Sequence, residues 1–231
     1  MRESIVTIPL TEVLEPRDGC PVCRLRDMLE KRVVDYITGS ALMEPDVRER
    51  TNREGFCLPH YRQMLAARNR LGVALILQSH LIEVEKQLFS GLPLPGRIDK
   101  KAVRGADKAG QTCFVCREIR QATDRLLNNL CLQWEQQAAF RRLWEEQPAL
   151  CLPHFSAVCA AAEASLTKEH KKEFIAVSRR LTQATLQQLR QDIDSFTRLF
   201  DYRTTEQDAA GQAGARDAIE RSIAYLTGRR P

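Results

Sequence analysis

Apolar residues recur every three or four positions along most of the chain, the spacing that places them on one face of an α-helix. Two such stripes each follow a pair of closely spaced cysteines, and we therefore predict an amphipathic helix after each pair. The first stripe consists of Leu25, Met28, Leu29, Val33 and Ile37, and the second of Ile119, Thr123, Leu126, Leu127 and Leu130.

The longest apolar stripe lies near the C-terminus and predicts a helix over residues 167–200, about 50 Å long. Residues 71–90 predict a shorter helix of the same kind, and residues 215–228 a last helix. A stripe of this length needs cover, which either the last helix or a second subunit can provide, and we favour a homodimer. Its members are Phe174, Val177, Leu181, Leu186, Leu189, Ile193, Phe196, Leu199 and Phe200.

Composition agrees with a helical protein. Of the 231 residues 43% are hydrophobic and only 6% aromatic, and Ala, Leu, Arg, Gln and Glu, which favour helices, dominate the long segments. The net charge of +5 is small for this length, and acidic and basic residues alternate. We interpret this alternation as a solvated helix surface, so nucleic acid is not a favoured partner.

The most informative feature is an internal repeat. "CPVC" and "CLPH" in the first half return as "CFVC" and "CLPH" in the second, displaced by 93 or 94 positions. Six of the eight cysteines and two of the four histidines lie on this pattern. We identify these eight residues as metal ligands: Cys20, Cys23, Cys57 and His60 in repeat one, and Cys113, Cys116, Cys151 and His154 in repeat two.

The repeat divides the chain into four parts. We assign repeat one, with an extended N-terminal arm and the first metal site, to residues 1–90, and a Gly-, Pro- and Lys-rich linker to 91–110. Repeat two, with the second site and the long helix, covers 111–203, and a C-terminal loop and helix cover 204–231. The predicted fold is all-α, with two tandem helical pseudo-repeats each clipped by a metal site.

The donor set favours zinc. Three thiolates and one imidazole in two closely spaced pairs are a common structural Zn(II) set, and we predict two zinc ions per chain. Iron or an iron–sulfur cluster is the alternative. Buried apolar cysteines would explain the thiols alone, but they would not explain a histidine that repeats in phase with them.

Both ligand pairs of each repeat are predicted to begin helices, where the positive end of the helix dipole favours thiolate over thiol. Pro59 and Pro153 suit a first helical turn. An arginine follows the second cysteine of each knuckle, Arg24 and Arg117. Because three thiolates, an imidazole and Zn(II) carry a net charge of −1, either guanidinium can donate to sulfur, although two plain surface arginines explain the pattern as well.

The cysteines and histidines outside the repeat have simpler interpretations. Cys131 and Cys159 lie on apolar helical faces and are interpreted as packing residues. We expect His80 to be a hydrogen-bonded helix histidine and His170 to be solvated.

Neither a signal peptide nor a membrane-spanning stretch is apparent in the sequence. Eight cysteines without an export signal are better explained by reduced thiols or metal ligands than by disulfides. We therefore expect a cytoplasmic protein with no membrane partner.

Three functions remain open, and the sequence leans away from an enzyme. A zinc ion with four protein ligands has no vacant position, which favours a non-catalytic binding or scaffold protein with a protein partner. The second hypothesis is redox work, as an iron–sulfur carrier or a zinc-thiolate switch. The third is zinc-dependent nucleic-acid binding.

The order of "DGCPVCRLRDMLEKR", "GFCLPH", "FDYRTTEQ" and "SIAYLTG" resembles an uncharacterised family of bacterial proteins known only as a domain of unknown function. The family's "CPxC" and "GFCxxH" motifs match repeat one, whereas in repeat two Phe114 replaces the proline and Ala149 the glycine. The resemblance covers nearly the whole chain. It implies a bacterial cytoplasmic source and brings no activity.

Overall fold

The computed structural model describes residues 8–90, 98–198 and 215–228. Over these ranges the chain forms eleven α-helices and no strand, which confirms the predicted all-α class. The helices are α1 (Ile8–Leu14), α2 (Pro21–Thr38), α3 (Pro45–Glu54), α4 (Leu58–Ala66), α5 (Arg70–Phe89), α6 (Lys100–Ala109), α7 (Phe114–Gln136), α8 (Ala138–Glu145), α9 (Leu152–Ser165), α10 (Lys168–Arg198) and α11 (Ala218–Thr227).

The duplication in the sequence is visible in where the helices begin. The first residues of α2 and α7 are 93 positions apart, as are those of α3 and α8, and those of α4 and α9 are 94 apart. The last helix of each repeat differs in length, with 20 residues in α5 and 31 in α10. The last two residues of the predicted long stripe, Leu199 and Phe200, lie outside the described residues.

The helices pack into two compact units that interleave along the chain. Named for their order along the chain, the inner unit comprises the described residues from Asp27 to Ala122, and the outer unit comprises the described residues up to Arg26 together with those from Thr123 onward. The divisions fall within α2 and α7. Each unit therefore takes segments from both halves of the duplicated sequence.

Aromatic packing in the inner unit brings two cysteine motifs together. Phe56, from "GFCLPH", makes edge contacts with Tyr61 at 5.4 Å and with Phe114, from "CFVC", at 6.4 Å between ring centroids. The other buried members of this core are Val34, Ile37, Ala41, Val47, Met64, Val73, Ile76, Cys113, Val115 and Ile119.

Gly55 fixes the turn that leads from α3 to α4. Its φ of 61° and ψ of −158° lie in a region that is essentially restricted to glycine. A Cβ at this position would lie 2.7 Å from Nε2 of His80. The carbonyl of Gly55 accepts a hydrogen bond from the amide of Phe114 at 3.0 Å, which ties this turn to the start of α7.

The outer unit is built on two tryptophans and a phenylalanine, and all three side chains are buried. Trp144 stacks on Phe174 with ring centroids 5.5 Å apart, and Trp134 meets the same ring edge-on at 5.3 Å. The indole N–H of Trp144 donates to Oγ of Ser178 at 3.1 Å, so this large buried side chain also satisfies its polar atom.

Helix α11 packs against α10 and covers part of the long apolar stripe. The Tyr225 hydroxyl donates to the carbonyl of Thr182 at 3.1 Å, and Arg221 pairs with Asp192 at 2.9 Å. Leu189 of the stripe is buried with Tyr225, whereas Leu186 is 42% exposed. Cover within one chain, one of the two options that the sequence left open, is therefore present along this part of α10.

Two segments differ from the sequence interpretation. Residues 8–10, interpreted as part of an extended arm, begin helix α1, because Leu10, Val13 and Leu14 are buried on one helical face. Within the predicted linker, residues 100–109 form α6. Asp99 is the N-cap of this helix, and its carboxylate accepts hydrogen bonds from the amides of Lys101 and Ala102. The predicted loop at residues 204–214 lies outside the described residues.

Among the described helices, none is both long enough and apolar enough to cross a lipid bilayer.

Replacing Gly55 by alanine tests the turn. We expect Gly55→Ala to lower the free energy of unfolding by roughly 1–3 kcal/mol or more, because the backbone strain adds to a clash with His80. Gly110→Ala is the matched control, since Gly110 has a φ of −86° and a Cβ there would meet nothing within 4 Å. Urea unfolding followed by circular dichroism measures both, and equal losses would contradict a special conformation at Gly55.

Candidate metal centres

The eight predicted ligands form two groups, each with three cysteines and one histidine. In each group the four ligand atoms all lie within 4.8 Å of one another. The outer cluster lies in the outer unit and contains Cys20, Cys23, Cys151 and His154; the inner cluster lies in the inner unit and contains Cys57, His60, Cys113 and Cys116.

The grouping corrects the pairing within repeats that the sequence suggested. The "CPVC" pair of repeat one meets the "CLPH" pair of repeat two, and the "CFVC" pair of repeat two meets the "CLPH" pair of repeat one. Local spacing defines each pair but contains no information on its partner, because both knuckles are chemically alike and so are both "CLPH" pairs. The two sites are therefore nested along the chain rather than arranged in tandem.

All four ligand pairs lie at helix N-termini. Cys57 and Cys151 are the N-cap residues of α4 and α9, each with proline in the first turn. Cys20 and Cys113 directly precede α2 and α7. Because the first amides of a helix have no partner within it and carry its positive dipole end, these positions favour ionised sulfur. In the inner cluster the amide of Cys116 donates to Sγ of Cys113 at 3.5 Å.

The distances fit a tetrahedral ion. In the outer cluster the three sulfurs lie 3.1, 3.3 and 3.5 Å from Nδ1 of His154, and the Cys23 and Cys151 sulfurs are 3.9 Å apart. In the inner cluster the corresponding distances to Nδ1 of His60 are 3.0, 3.2 and 3.5 Å, with one sulfur pair at 3.8 Å. Tetrahedral zinc places its ligands about 3.5 Å apart for sulfur and nitrogen and about 3.8 Å apart for two sulfurs.

Two thiols of the inner cluster, those of Cys113 and Cys116, are hard to ionise without a cation. Burial, followed by the nearby charge of Cys113, raises the pKa of Cys116 to about 12. Burial also raises the pKa of Cys113. A divalent cation reverses this balance, because it stabilises every thiolate at once.

In the outer cluster the pKa is raised for two of the three thiols and lowered for the third, Cys20. A hydrogen bond with Cys20 raises the pKa of Cys151 to about 12, and hydrogen bonds with Cys151 and Cys20, together with burial, raise the pKa of Cys23. Burial opposes ionisation of Cys20, but hydrogen bonds with Cys151, Cys23 and His154 outweigh it and lower the pKa of Cys20. The lowered pKa makes Cys20 easier to ionise than an ordinary thiol, whereas the raised pKa values make Cys23 and Cys151 harder to ionise.

The two histidines have different surroundings although their Nδ1 atoms face equivalent sulfurs. His60 contacts Oε1 of Glu30 through Nε2 at 2.7 Å, and a carboxylate in this position fixes the ring and makes Nδ1 a stronger ligand. His154 is buried too, but its Nε2 has no hydrogen-bond partner in the part of the chain that the structure describes. Sequence analysis missed Glu30, and no motif distinguishes it from the other acids of α2.

The two arginines predicted near sulfur bond to oxygen atoms. Arg24 donates to the carbonyls of Val13 and Gly19, to Asp18 and to Oε1 of Gln147, and so fixes the loop that precedes Cys20.

Arg117 pairs with Glu54 at 2.5 Å and Glu118 at 2.9 Å, and its guanidinium lies 5.4 Å from the centre of the Phe114 ring. These contacts connect the ends of α3 and α7, the helices next to the ligand pairs of the inner cluster. Both arginines therefore act on the loops and helix ends that carry the cysteines.

Cys131, His80 and His170, which lie outside the repeat, make packing or hydrogen-bond contacts. Cys131 is fully buried, and burial, with a smaller contribution from Cys159, raises its pKa to about 12. His80 donates from Nδ1 to the carbonyl of Asn52 at 2.7 Å, as expected of a hydrogen-bonded helix histidine. His170, expected to be solvated, is partly buried and contacts Glu135 at 2.7 Å.

The chain belongs to a family of unknown function, DUF6062, whose model matches residues 1–231. This confirms the resemblance to an uncharacterised family. A comparison with curated proteins gave no match, and neither did a comparison with solved structures. The family supplies no activity, so the function has to be argued from the two clusters.

Double substitutions test the exchanged pairing. Cys20→Ser with Cys151→Ser alters only the outer cluster, whereas Cys20→Ser with Cys57→Ser alters both. We expect the first variant to keep about one metal ion per chain and the second to keep close to none, because losing one thiolate greatly weakens a four-ligand site. Elemental analysis of the purified proteins, together with their circular dichroism, measures this. The opposite order would restore pairing within repeats.

Glu30→Gln tests the support of His60. The amide keeps a hydrogen-bond acceptor but loses the charge, and we expect metal affinity at the inner cluster to fall about 10- to 100-fold. Competition with a chromophoric chelator measures it. Glu49→Gln is the control, because Glu49 lies in the same unit with its side chain 78% exposed. Equal affinities in both variants would show that Glu30 does not tune the site.

Proposed function

We propose that this member of the family is a zinc-binding scaffold protein, non-catalytic, with two structural zinc ions per chain. The observation that carries the proposal is the gathering of three sulfurs and one nitrogen in each cluster, with all four atoms within 4.8 Å of one another. Four protein ligands complete the coordination of a structural zinc ion and leave no position for water or substrate. Each proposed zinc ion would cross-link two ligand pairs and compensate the charge of three thiolates.

Zinc suits the donor set better than iron. Three thiolates with one imidazole, drawn from two short pairs, are typical of structural zinc, whereas iron–sulfur clusters are usually held by four thiolates. The distances between ligand atoms favour a single ion, because the four ligand atoms of each set lie within 4.8 Å of one another. Iron or an iron–sulfur cluster remains the alternative to be tested by metal analysis.

The proposed ions would join segments that are far apart in sequence. Cys23 and Cys151 are 128 positions apart, and His60 and Cys113 are 53 apart. A cross-link of this kind removes conformational freedom from the unfolded chain and stabilises the fold. It would hold the helices of each unit in a fixed arrangement, as a scaffold requires.

The proposed partner is a protein, a second copy of this chain included. On α11, Ile219, Ile223 and Leu226 recur at helical spacing and are 41%, 42% and 58% exposed. An apolar stripe that remains exposed on a surface helix favours contact with another protein surface. The homodimer predicted from the sequence stays a prediction, and light scattering of the full chain tests it.

A zinc-thiolate redox switch is the second candidate. In its favour, the sulfurs of Cys23 and Cys151 lie only 3.9 Å apart, so that their oxidation after loss of zinc could join them with little rearrangement. Reversible loss of zinc on treatment with peroxide, restored by a reducing agent, would support the switch.

Metal content and stability test the proposal together. We expect about two zinc ions per chain in the purified protein and a melting temperature that falls far more for Cys57→Ser than for Cys131→Ser. Both cysteines lie in the folded chain, but only Cys57 belongs to a cluster.

A colourless protein without metal, or a brown one with iron and sulfide, would contradict two structural zinc ions. Equal melting shifts for the two serine variants would contradict a structural role for the inner cluster. The two measurements are independent, since the first reports the ion and the second its effect on the fold.

A further inference from the structure

The outer cluster borders a pocket of about 810 Å³. The pocket lies in the outer unit, between α10, α11 and the loops that carry Cys20 and Cys151. Cys20, Cys23 and Cys151 all line it, so three of the four outer ligands face a space of the size that small molecules occupy.

Carboxylates exceed guanidinium groups around this pocket. Asp18, Asp217 and Glu220 line it together with one cation, Arg221. Arg221 is already paired with Asp217 and with Asp192, both at 2.9 Å. Arg24 pairs with Asp18. Two guanidinium groups, those of Arg24 and Arg221, therefore face four carboxylates, those of Asp18, Asp192, Asp217 and Glu220. A zinc ion with three thiolates would add a further negative charge, so the pocket disfavours anions.

The surroundings of the two histidines differ between the clusters. Glu30 supports His60 in the inner cluster at 2.7 Å, whereas Nε2 of His154 has no hydrogen-bond partner within the described ranges. Loss of such a partner typically weakens metal binding about 10- to 100-fold. The same donor set is thus better held in the inner cluster.

From the pocket at the outer cluster and the weaker support of its histidine we propose that the outer cluster is an exchangeable metal site, reached through the pocket by a small neutral or cationic nitrogen ligand. The proposal rests on the zinc sites of the proposed function. In the exchange, nitrogen atoms of the incoming ligand would replace the three thiolates and the imidazole as donors to the ion, and the released thiolates would take up protons from water. The inner cluster keeps its ion under the same conditions.

The pocket sets the class of ligand. Its acidic surroundings repel carboxylate chelators, and apolar residues such as Leu189, Ala184 and Tyr225 suit a ligand with an aromatic or aliphatic body. The Tyr225 hydroxyl is engaged by the carbonyl of Thr182, which leaves an apolar wall at that place. A flat diimine such as 1,10-phenanthroline has the required charge, size and donor atoms.

Zinc release from the full-length protein in excess 1,10-phenanthroline tests the proposal. We expect two phases of equal size, the first at least about 10-fold faster than the second, in line with the effect of a supporting carboxylate. N-ethylmaleimide labelling after the first phase, read by mass spectrometry, should modify Cys20, Cys23 and Cys151 while Cys57, Cys113 and Cys116 stay protected. Release of both ions at one rate, or labelling of the inner set first, would overturn it.

Two tryptophan variants on α10 test the route. Ala184→Trp places a large side chain at the pocket, and we expect it to slow the first phase several-fold and leave the second unchanged. Gln187→Trp is the matched control, because Gln187 is exposed on the same helix and does not line the pocket. Equal rates in the two variants would exclude entry through the pocket.

The same series separates failure of this inference from failure of the proposed function. A protein that holds less than two zinc ions before chelator is added contradicts the proposed function itself. A protein that holds two and releases them together, or releases the inner one first, keeps the proposed function and contradicts the exchangeable outer site.

Discussion

Crowding three sulfur atoms and an imidazole nitrogen around one point is the constraint on which the rest of the structure depends. Burial and neighbouring thiols keep sulfurs such as those of Cys116 and Cys151 protonated in the absence of a cation. The helix N-termini supply partial positive charge, but only a metal ion compensates three thiolates at once. The aromatic contacts around Phe56 and the hydrogen bond from Phe114 to Gly55 bring ligand pairs together that would otherwise repel once ionised.

Duplication kept the ligands while their surroundings diverged. Gly55 precedes Cys57 with a left-handed φ, whereas Ala149, at the equivalent place before Cys151, is not among the described residues with positive φ. An alanine is tolerated there because that turn adopts a conformation open to any residue. Identical donors thus follow turns of different backbone conformation.

Sequence reasoning found what is encoded locally. The six cysteines and two histidines that gather in the two clusters, and the helix starts at Pro21 and Leu58, follow from short motifs, and the all-α class follows from apolar spacing. The pairing of clusters could not be predicted, since it depends on contacts between remote segments. Glu30 was missed for the same reason, and α6 was missed because Gly and Lys in residues 100–109 resemble a linker, although Asp99 caps a helix there.

Nested pairing changes the order in which the chain can complete its sites as it is synthesised from the N-terminus. The inner ligands are all present once Cys116 has emerged from the ribosome, whereas Cys20 and Cys23, the first ligands made, wait for His154, the last. Before then, the "CLPH" pair at Cys57 is the nearest partner available to them. A metal ion captured by that early combination would hold both pairs away from the partners that they have in the folded chain.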